Sequence, residues 1–151
     1  MLRDRSHRAR DHLDSLAERL SEYVPGLVTL HADVTSRRRR DALVRLSRLA
    51  ADEPRLVLAT GRFIGEGFDD PRLDTLLLAM PIAWKGTVVQ YAGRLHRPHP
   101  AKSDVRIYDY VDVNVPVLRR MFAKRAKTYR AMSYTITSDA TPVGLALSPG
   151  A

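Results

Sequence analysis

The sequence predicts an α/β fold: a parallel sheet with helices on both faces, in three layers. Two observations lead to this prediction. Segments with helical periodicity alternate with short apolar runs along the chain, which is typical of strand–helix–strand units. Two of the runs, Leu56–Ala59 and Leu76–Met80, contain no polar residue, as expected of strands buried on both faces. In such a sheet the functional loops are expected at the carboxyl ends of the strands.

The first half of the chain is predicted to contain two helices and two strands. Apolar residues at three- and four-residue spacing indicate an amphipathic helix over His7–Tyr23, followed by a strand over Leu27–His31. Thr35 or Ser36 can cap a second helix that runs to about Ala51. The apolar run Leu56–Ala59 is then the second strand.

The second half is predicted to continue the alternation. A short helix over Thr87–Leu95 precedes a strand over Val105–Val111 and a long helix over Val115–Met132. The apolar residues that should face inward on the long helix are Val117, Leu118, Met121 and Phe122. Residues 135–151 have little to bury and are expected to form a flexible tail behind one domain of residues 1–134.

Composition limits the classes of function. The 151 residues include 25 Lys and Arg against 17 Asp and Glu, a net charge of +8 that favours polyanionic partners. Arginine supplies most of this charge and suits phosphate contacts, although a codon bias toward arginine would give the same composition. The absence of cysteine excludes disulfides, thiol nucleophiles and thiolate zinc sites. With no long apolar run and no secretory signal, the sequence predicts a cytoplasmic protein.

The segment between the two apolar runs combines flexibility with polar groups. Leu58–Asp69, LATGRFIGEGFD, holds three glycines, the hydroxyl of Thr60 and two carboxylates. Glycines let backbone N–H groups form an anion-binding nest, but they equally suit a tight turn with positive φ. The spacing matches neither G-x-G-x-x-G nor a P-loop, so the segment is not a complete nucleotide site.

A second cluster of polar residues lies at the end of the predicted short helix. In Gln90–Arg97, Arg94 and Arg97 are three residues apart, a spacing that puts both on one helical face. Paired guanidinium groups suit a triphosphate and can neutralise charge on a transferred phosphoryl group. A solvated basic helix explains the same residues, and the two interpretations remain open at this point.

Together these segments resemble the conserved motifs of superfamily 2 helicases. Ala59 to Asp69 resembles motif V, and Gln90-x-x-Gly93-Arg94-x-x-Arg97 resembles motif VI. The nearest resemblance is to the C-terminal RecA-like domain of bacterial DEAD/DEAH-type helicases related to type III restriction subunits and XPB-like helicases. It extends weakly to a motif IV over Asp4–His7 and covers roughly residues 2–134, with a first strand that looks incomplete.

The resemblance implies roles for individual residues. Arg94 and Arg97 would reach the γ-phosphate of ATP across an interdomain cleft, with Arg97 as the arginine finger. Gly67 and Asp69 would line the nucleotide side of the cleft, and Gln90 would couple nucleotide to closure. The residues implied to contact the nucleic-acid backbone are Thr60, Gly61 and Arg62.

The resemblance also implies partners. ATP with Mg²⁺ would be held mainly by an N-terminal RecA-like domain in the same or a neighbouring chain. This sequence has no Walker A lysine and no Walker B acidic box, so alone it should not hydrolyse ATP. Nucleic acid is the expected substrate, with DNA favoured over RNA. The alternatives are a non-catalytic nucleic-acid-binding module, a degenerate helicase remnant, and a Rossmann-like enzyme, which the glycine spacing disfavours.

Four further signals each have two interpretations. The run Arg37–Arg40 at a helix start is either a phosphate contact or a solvated face. Trp84 and Tyr91 either stack on bases or pack in the core, and core packing is the commoner role. His96 and His99, flanked by prolines and without a thiolate partner, are not expected to bind a metal.

Overall fold

The computed structural model describes residues 2–31, 33–50, 52–60, 69–80, 85–137 and 145–149. The chain divides into two compact units, residues 1–68 and residues 69–151. None of the helices within the described ranges is long and apolar enough to span a membrane.

The first unit is a strand–helix–strand structure preceded by a long helix. Helix α1 spans Leu2–Ser21, strand β1 Leu27–Leu30, helix α2 Ser36–Arg48 and strand β2 Leu56–Ala59. The two strands pair in parallel, with Leu27 opposite Leu56. The helix between them supplies the crossover connection that parallel pairing requires. The buried apolar residues of this unit are Leu13, Val28, Leu30 and Leu46.

The predicted cap of α2 is confirmed, but the helix is shorter than predicted. The Thr35 hydroxyl accepts a hydrogen bond from the backbone N–H of Arg38 at 3.3 Å. The helix ends at Arg48 rather than near residue 51. Beyond it, the Glu53 carboxylate accepts from the N–H of Ala50 at 2.7 Å, and Arg55 donates to the Ala50 carbonyl at 2.6 Å. These side chains stabilise a turn there that competes with further helix.

The second unit has a mixed sheet covered by two helices. Its elements are β3 (Thr75–Leu78), α3 (Lys85–Leu95), β4 (Arg106–Asp109), α4 (Pro116–Ala131), β5 (Tyr134–Ile136) and β6 (Leu145–Pro149). The strand order is β3-β4-β6-β5. Strands β3 and β4 are parallel, whereas β6 is antiparallel to both β4 and β5.

The α/β class is confirmed, and the all-parallel sheet is not. Strand β6 lies where a flexible tail was expected, and it is antiparallel to β5 because residues 137–144 are too few for a parallel crossover. Burial on both faces was also wrong for the two apolar runs. All of β2 is only half-buried, and Leu77 in β3 is 50% exposed.

The two helices of the second unit present different kinds of buried face. Helix α3 buries Val88, Tyr91, Ala92 and Leu95, which follow the spacing of one helical stripe. Helix α4 buries Arg125, Ala126, Thr128 and Tyr129. The predicted inward position of Val117 is wrong, since it is 49% exposed. Leu118, Met121 and Phe122 are half-buried, and the fully buried residues, the charged Arg125 among them, lie in the second half of the helix.

A buried ion pair connects β4 to α4. The Arg125 Nε and Nη2 atoms each donate to a carboxylate oxygen of Asp109 at 2.7 Å, and the Tyr129 hydroxyl donates to Asp109 at 2.9 Å. Asp109 is 1% exposed and Arg125 is 3% exposed. Burial acts to lower the pKa of Arg125, but the hydrogen bonds and charge of Asp109 outweigh it and raise the pKa. Arg125 therefore stays charged inside the unit.

Substituting Arg125 with Met should destabilise the protein by about 3–5 kcal/mol, because Asp109 would remain as an uncompensated buried charge. Urea unfolding followed by circular dichroism measures this loss. Arg130→Met, an exposed arginine in the last turn of the same helix, is the matched control and should change stability by less than about 0.5 kcal/mol. Equal losses in the two variants would show that the buried pair does not stabilise the unit.

Candidate functional site

The candidate site begins at the carboxyl end of helix α3. The N–H of His96 still donates to the Ala92 carbonyl at 3.1 Å, but the N–H of Arg97 donates to Arg94 at 3.3 Å in a tighter turn. The helix ends at Leu95 because Pro98 disfavours helical geometry in the residue before it. This turn keeps Arg94 and Arg97 three residues apart, and their convergence on one phosphate stays a prediction. Arg94 lies in the last helical turn and Arg97 lies beyond it.

Arg97 forms an ion pair with Asp69. The Nη1 atom of Arg97 contacts a carboxylate oxygen of Asp69 directly, although the residues are 28 positions apart in the sequence. The side chains are 53% and 36% exposed, respectively, so the pair is open to solvent and to ligands. The structure thus brings together one residue from each of the two sequence segments that resemble helicase motifs. Their functional roles remain predictions.

The residue after Asp69 fixes the backbone at this position. Asp70, 9% exposed, accepts two hydrogen bonds at 2.8 Å from the guanidinium of Arg72 and one at 3.0 Å from its backbone N–H. The N–H of Leu73 closes the turn onto the Asp70 carbonyl at 3.2 Å, with Pro71 at the second position that such turns favour. The hydrogen bond that Arg72 donates to Asp70 raises the pKa of Arg72. Asp69 therefore extends from a rigid turn.

Lys102 holds the backbone on the Arg97 side of the ion pair. The Lys102 ammonium group donates to the carbonyl oxygens of Leu95 at 2.6 Å and of Arg97 at 3.0 Å. Carbonyls at the end of a helix have no partner within the helix, and a cation there also complements the helix dipole. Burial lowers the pKa of Lys102, and the charges of Asp74 and Asp70 oppose that shift.

Of the two aromatic residues of this segment, Tyr91 belongs to the core and His96 is exposed. Tyr91 is 3% exposed, which resolves its two interpretations in favour of core packing, and burial raises its pKa. His96 lies 2.9 Å from the Tyr134 hydroxyl through its Nε2 atom, and the two rings meet edge to face with centroids 5.4 Å apart. His96 thereby anchors the end of α3 to strand β5.

The site lies at the edge of the sheet where β3 and β4 begin. Asp69 precedes β3 and Lys102 precedes β4, and α3 returns to this edge because it follows β3 and lies antiparallel to it. The Asp69–Arg97 pair thus lies away from the carboxyl ends of β3 and β4, and its functional role stays a prediction. The crossover helix carries its arginines back to the opposite edge.

The other predicted site residues are not all described. Gln90 is exposed on α3, and Thr60 directly follows β2 in the first unit, where its N–H donates to the Leu30 carbonyl at 3.1 Å. A Cβ on Gly93 would meet no atom within 4 Å among the described residues, so packing there does not require glycine. The predicted residues outside the described ranges are Gly61, Arg62, Gly67 and Trp84.

Sequence analysis missed two residues that shape the site, Asp70 and Lys102. Each left a local signal. An aspartate followed by proline and a second residue with a free N–H is typical of an Asx-type turn, as in Asp70-Pro71-Arg72. A basic residue shortly after a helix end commonly binds the last carbonyls. Neither signal identifies which helix end or which carboxylate is concerned.

Comparisons with known proteins agree with a helicase-like region. No protein-family profile and no solved structure matches the chain. Over 79 residues it is 40% identical to uncharacterized protein 108L of Invertebrate iridescent virus 3, which is 51% of this chain and 69% of that protein. The chain belongs to the family of protein 108L.

A second relative carries a functional name. The chain is 37% identical over 78 residues to a protein named "Putative helicase 161L" from Invertebrate iridescent virus 6. The match takes in 50% of this chain but 16% of the viral protein. About half of this 108L-family chain is thus similar to part of a helicase-like protein, of which it spans about one sixth.

Stability should fall as the pH rises from about 10 to about 12. Burial raises the pKa of Tyr134 from 10.0 to about 12, so in this range the unfolded chain loses a proton that the folded chain retains. The stabilisation that this pKa difference of Tyr134 contributes is fully present below about pH 10 and is lost by about pH 12. Urea unfolding across this range measures the fall. It should be shallower for Tyr134→Phe and unchanged for Tyr23→Phe, a control at a 77% exposed tyrosine; identical slopes for both variants would contradict the assignment.

Proposed function

We propose that this 108L-family chain is the second RecA-like half of an ATP-dependent nucleic-acid helicase or translocase, in which Arg97 acts as the arginine finger. The observation that supports the proposal best is the Asp69–Arg97 ion pair. It joins the two sequence segments that resemble motifs V and VI, and their proximity is what a shared nucleotide-facing site requires. Similarity to 161L supports the same assignment.

The position of Arg97 suits a finger. Its guanidinium is 53% exposed and pairs with Asp69 through Nη1. A guanidinium has five N–H donors in a planar fork, so one ion pair leaves donors for a phosphate oxygen. Arg94 is half-buried in the last turn of α3, whereas Arg97 is exposed beyond it. The two arginines would therefore act differently, with Arg97 approaching the γ-phosphate.

The nucleotide would be held mainly elsewhere. In the proposed enzyme, ATP with Mg²⁺ binds to an N-terminal RecA-like domain, and this chain contributes Arg97, Arg94, Asp69 and Gln90 at the facing surface. The bound metal would neutralise charge on the phosphates. The chain's own contribution is positive charge at the transferred phosphoryl group. Contacts to nucleic acid are assigned to Thr60, Gly61 and Arg62.

Replacing Arg97 with Ala should lower nucleic-acid-stimulated ATP turnover by about 10³-fold or more in the complete enzyme, since an arginine finger contributes that much to kcat. ATP binding, measured by equilibrium titration with a fluorescent analogue, should change little. Arg120→Ala removes an exposed arginine from α4 and should leave both quantities as in the wild type. Turnover that survives Arg97→Ala would contradict the finger assignment.

A simpler observation tests the partner domain. The coding sequence in frame with this chain, or next to it, should encode a Gly-Lys-Thr segment and an Asp-Glu box, because ATP and magnesium need both. Finding them supports a split or fragmentary helicase. Finding neither anywhere near the coding sequence would overturn the motor proposal in favour of a remnant or a binding module.

The second candidate function is a nucleic-acid-binding module without catalysis. The 79 matched residues make up 69% of protein 108L, which is therefore about 115 residues long. That length suits one domain rather than the two that a helicase motor needs. The chain also has a strongly basic surface on α2, where five arginines are exposed: Arg37, Arg38, Arg40, Arg45 and Arg48.

Fluorescence anisotropy across a salt series tests the module. The variant with Arg37, Arg38 and Arg40 changed to Ala should bind oligonucleotides more weakly. Its plot of log affinity against log salt should be shallower by up to about three, since each lost phosphate contact removes about one. The charge-matched control changes Arg119, Arg120 and Arg130, all exposed on α4, and should bind more nearly like the wild type. Binding that is negligible even at low salt in the wild type would eliminate this candidate.

A further inference from the structure

Arg97 lies outside regular structure but needs a fixed position to act on a phosphate. It follows the last residue of α3 by two positions, and its own N–H makes only a tight-turn hydrogen bond of 3.3 Å to Arg94. Segments beyond a helix end fray unless other groups hold them. A small displacement of a catalytic group costs much of its effect on rate. Groups outside α3 must therefore hold the segment that carries Arg97.

We propose that Lys102 is a positioning residue for Arg97: its ammonium group holds the backbone at the end of α3, and Asp69 orients the guanidinium. Arg97 is thus held at two points, at its own carbonyl by Lys102 and at Nη1 by Asp69. The inference rests on the proposed function only for the consequence in catalysis. The positioning itself concerns this chain alone.

The contacts of Lys102 fit this role. Its ammonium donates at 2.6 Å to the carbonyl of Leu95, which the helix leaves without a partner, and at 3.0 Å to the carbonyl of Arg97 just beyond the helix. A turn directs the side chain back to the helix, because the N–H of Lys102 donates to the His99 carbonyl at 3.0 Å. An ammonium with three donors can bind both carbonyls at once, which a residue with a single donor cannot do.

Charge also links Lys102 to the turn that carries Asp69, the partner of Arg97 in the ion pair. Asp70 and Asp74 lie close enough to interact with the ammonium electrostatically. Asp70 is the buried residue that fixes the turn carrying Asp69. One lysine therefore connects the backbone of Arg97 with the turn that presents its carboxylate partner. Removing Lys102 should loosen the contact between Asp69 and Arg97, not only the helix end.

Amide hydrogen exchange on the complete chain tests the positioning directly. In Lys102→Met, exchange at the His96 and Arg97 amides should accelerate by about tenfold or more, because two charge-assisted hydrogen bonds are lost nearby. The Met132 amide at the end of α4, bonded to Thr128 at 3.1 Å, should be unaffected. Lys102→Arg should restore most of the protection, since arginine can also donate to both carbonyls. Lys127→Met, an exposed lysine on α4, is the control.

Two results would overturn the positioning role. One is unchanged exchange at His96 and Arg97 in Lys102→Met. The other is equal acceleration at Met132, which would show general destabilisation. If Lys102→Met does not fold, Lys102→Gln keeps two amide donors without the charge and should give a smaller acceleration confined to the same two amides. The absence of this smaller acceleration in Lys102→Gln would likewise reject the proposal.

Turnover by the complete enzyme separates this proposal from the proposed function. Lys102→Met should lower kcat with little change in the KM for ATP, and should add little to the loss in Arg97→Ala, because both act through one group. If Arg97→Ala has no effect while the amides respond to Lys102, the motor function fails and the positioning stands. If Arg97→Ala abolishes turnover while Lys102→Met does not lower kcat, the positioning proposal fails.

Discussion

The second unit depends on a buried charge pair that neither partner could maintain alone. Asp109 at the end of β4 is matched by Arg125 in the middle of α4, and the Tyr129 hydroxyl supplies a third hydrogen bond. This cluster fixes α4 on the sheet. Helix α3 packs against both α4 and β3, so its direction follows from the same cluster. Pro98 sets where α3 ends, and the packing of the helix that carries the Arg97 segment depends indirectly on Asp109.

Because the end of α3 is fixed, local interactions near it are enough to build the site. Pro98 stops the helix, Lys102 binds its last carbonyls and Asp70 makes the turn from which Asp69 extends. Each device is local and could arise from few substitutions. Their combined result is an ion pair between residues 28 positions apart, open enough to meet a ligand.

Patterns with a clear period could be predicted from the sequence, and tertiary partners could not. The short helix predicted over Thr87–Leu95 and the Thr35 cap follow local rules, and both are present in the structure. Strand β6 escaped prediction because its short apolar alternation gains stability only by pairing with β4 and β5. No sequence pattern marks Arg125 as buried, since only the fold brings Asp109 to it. The ion pair of Arg97 with Asp69 likewise depends on the fold, because the two residues are 28 positions apart.

The proposed contact between Arg97 and the transferred phosphoryl group is tested most directly on the Arg97 side chain itself. Arginine-selective NMR on the complete enzyme, with ADP and aluminium fluoride as a mimic of the transferred phosphoryl group, reports whether a guanidinium meets the nucleotide. If Arg97 is the arginine finger, its Nε–H signal should show a saturable shift while the Arg120 signal stays unchanged. An Arg97 signal that stays in place while the nucleotide complex forms would contradict it.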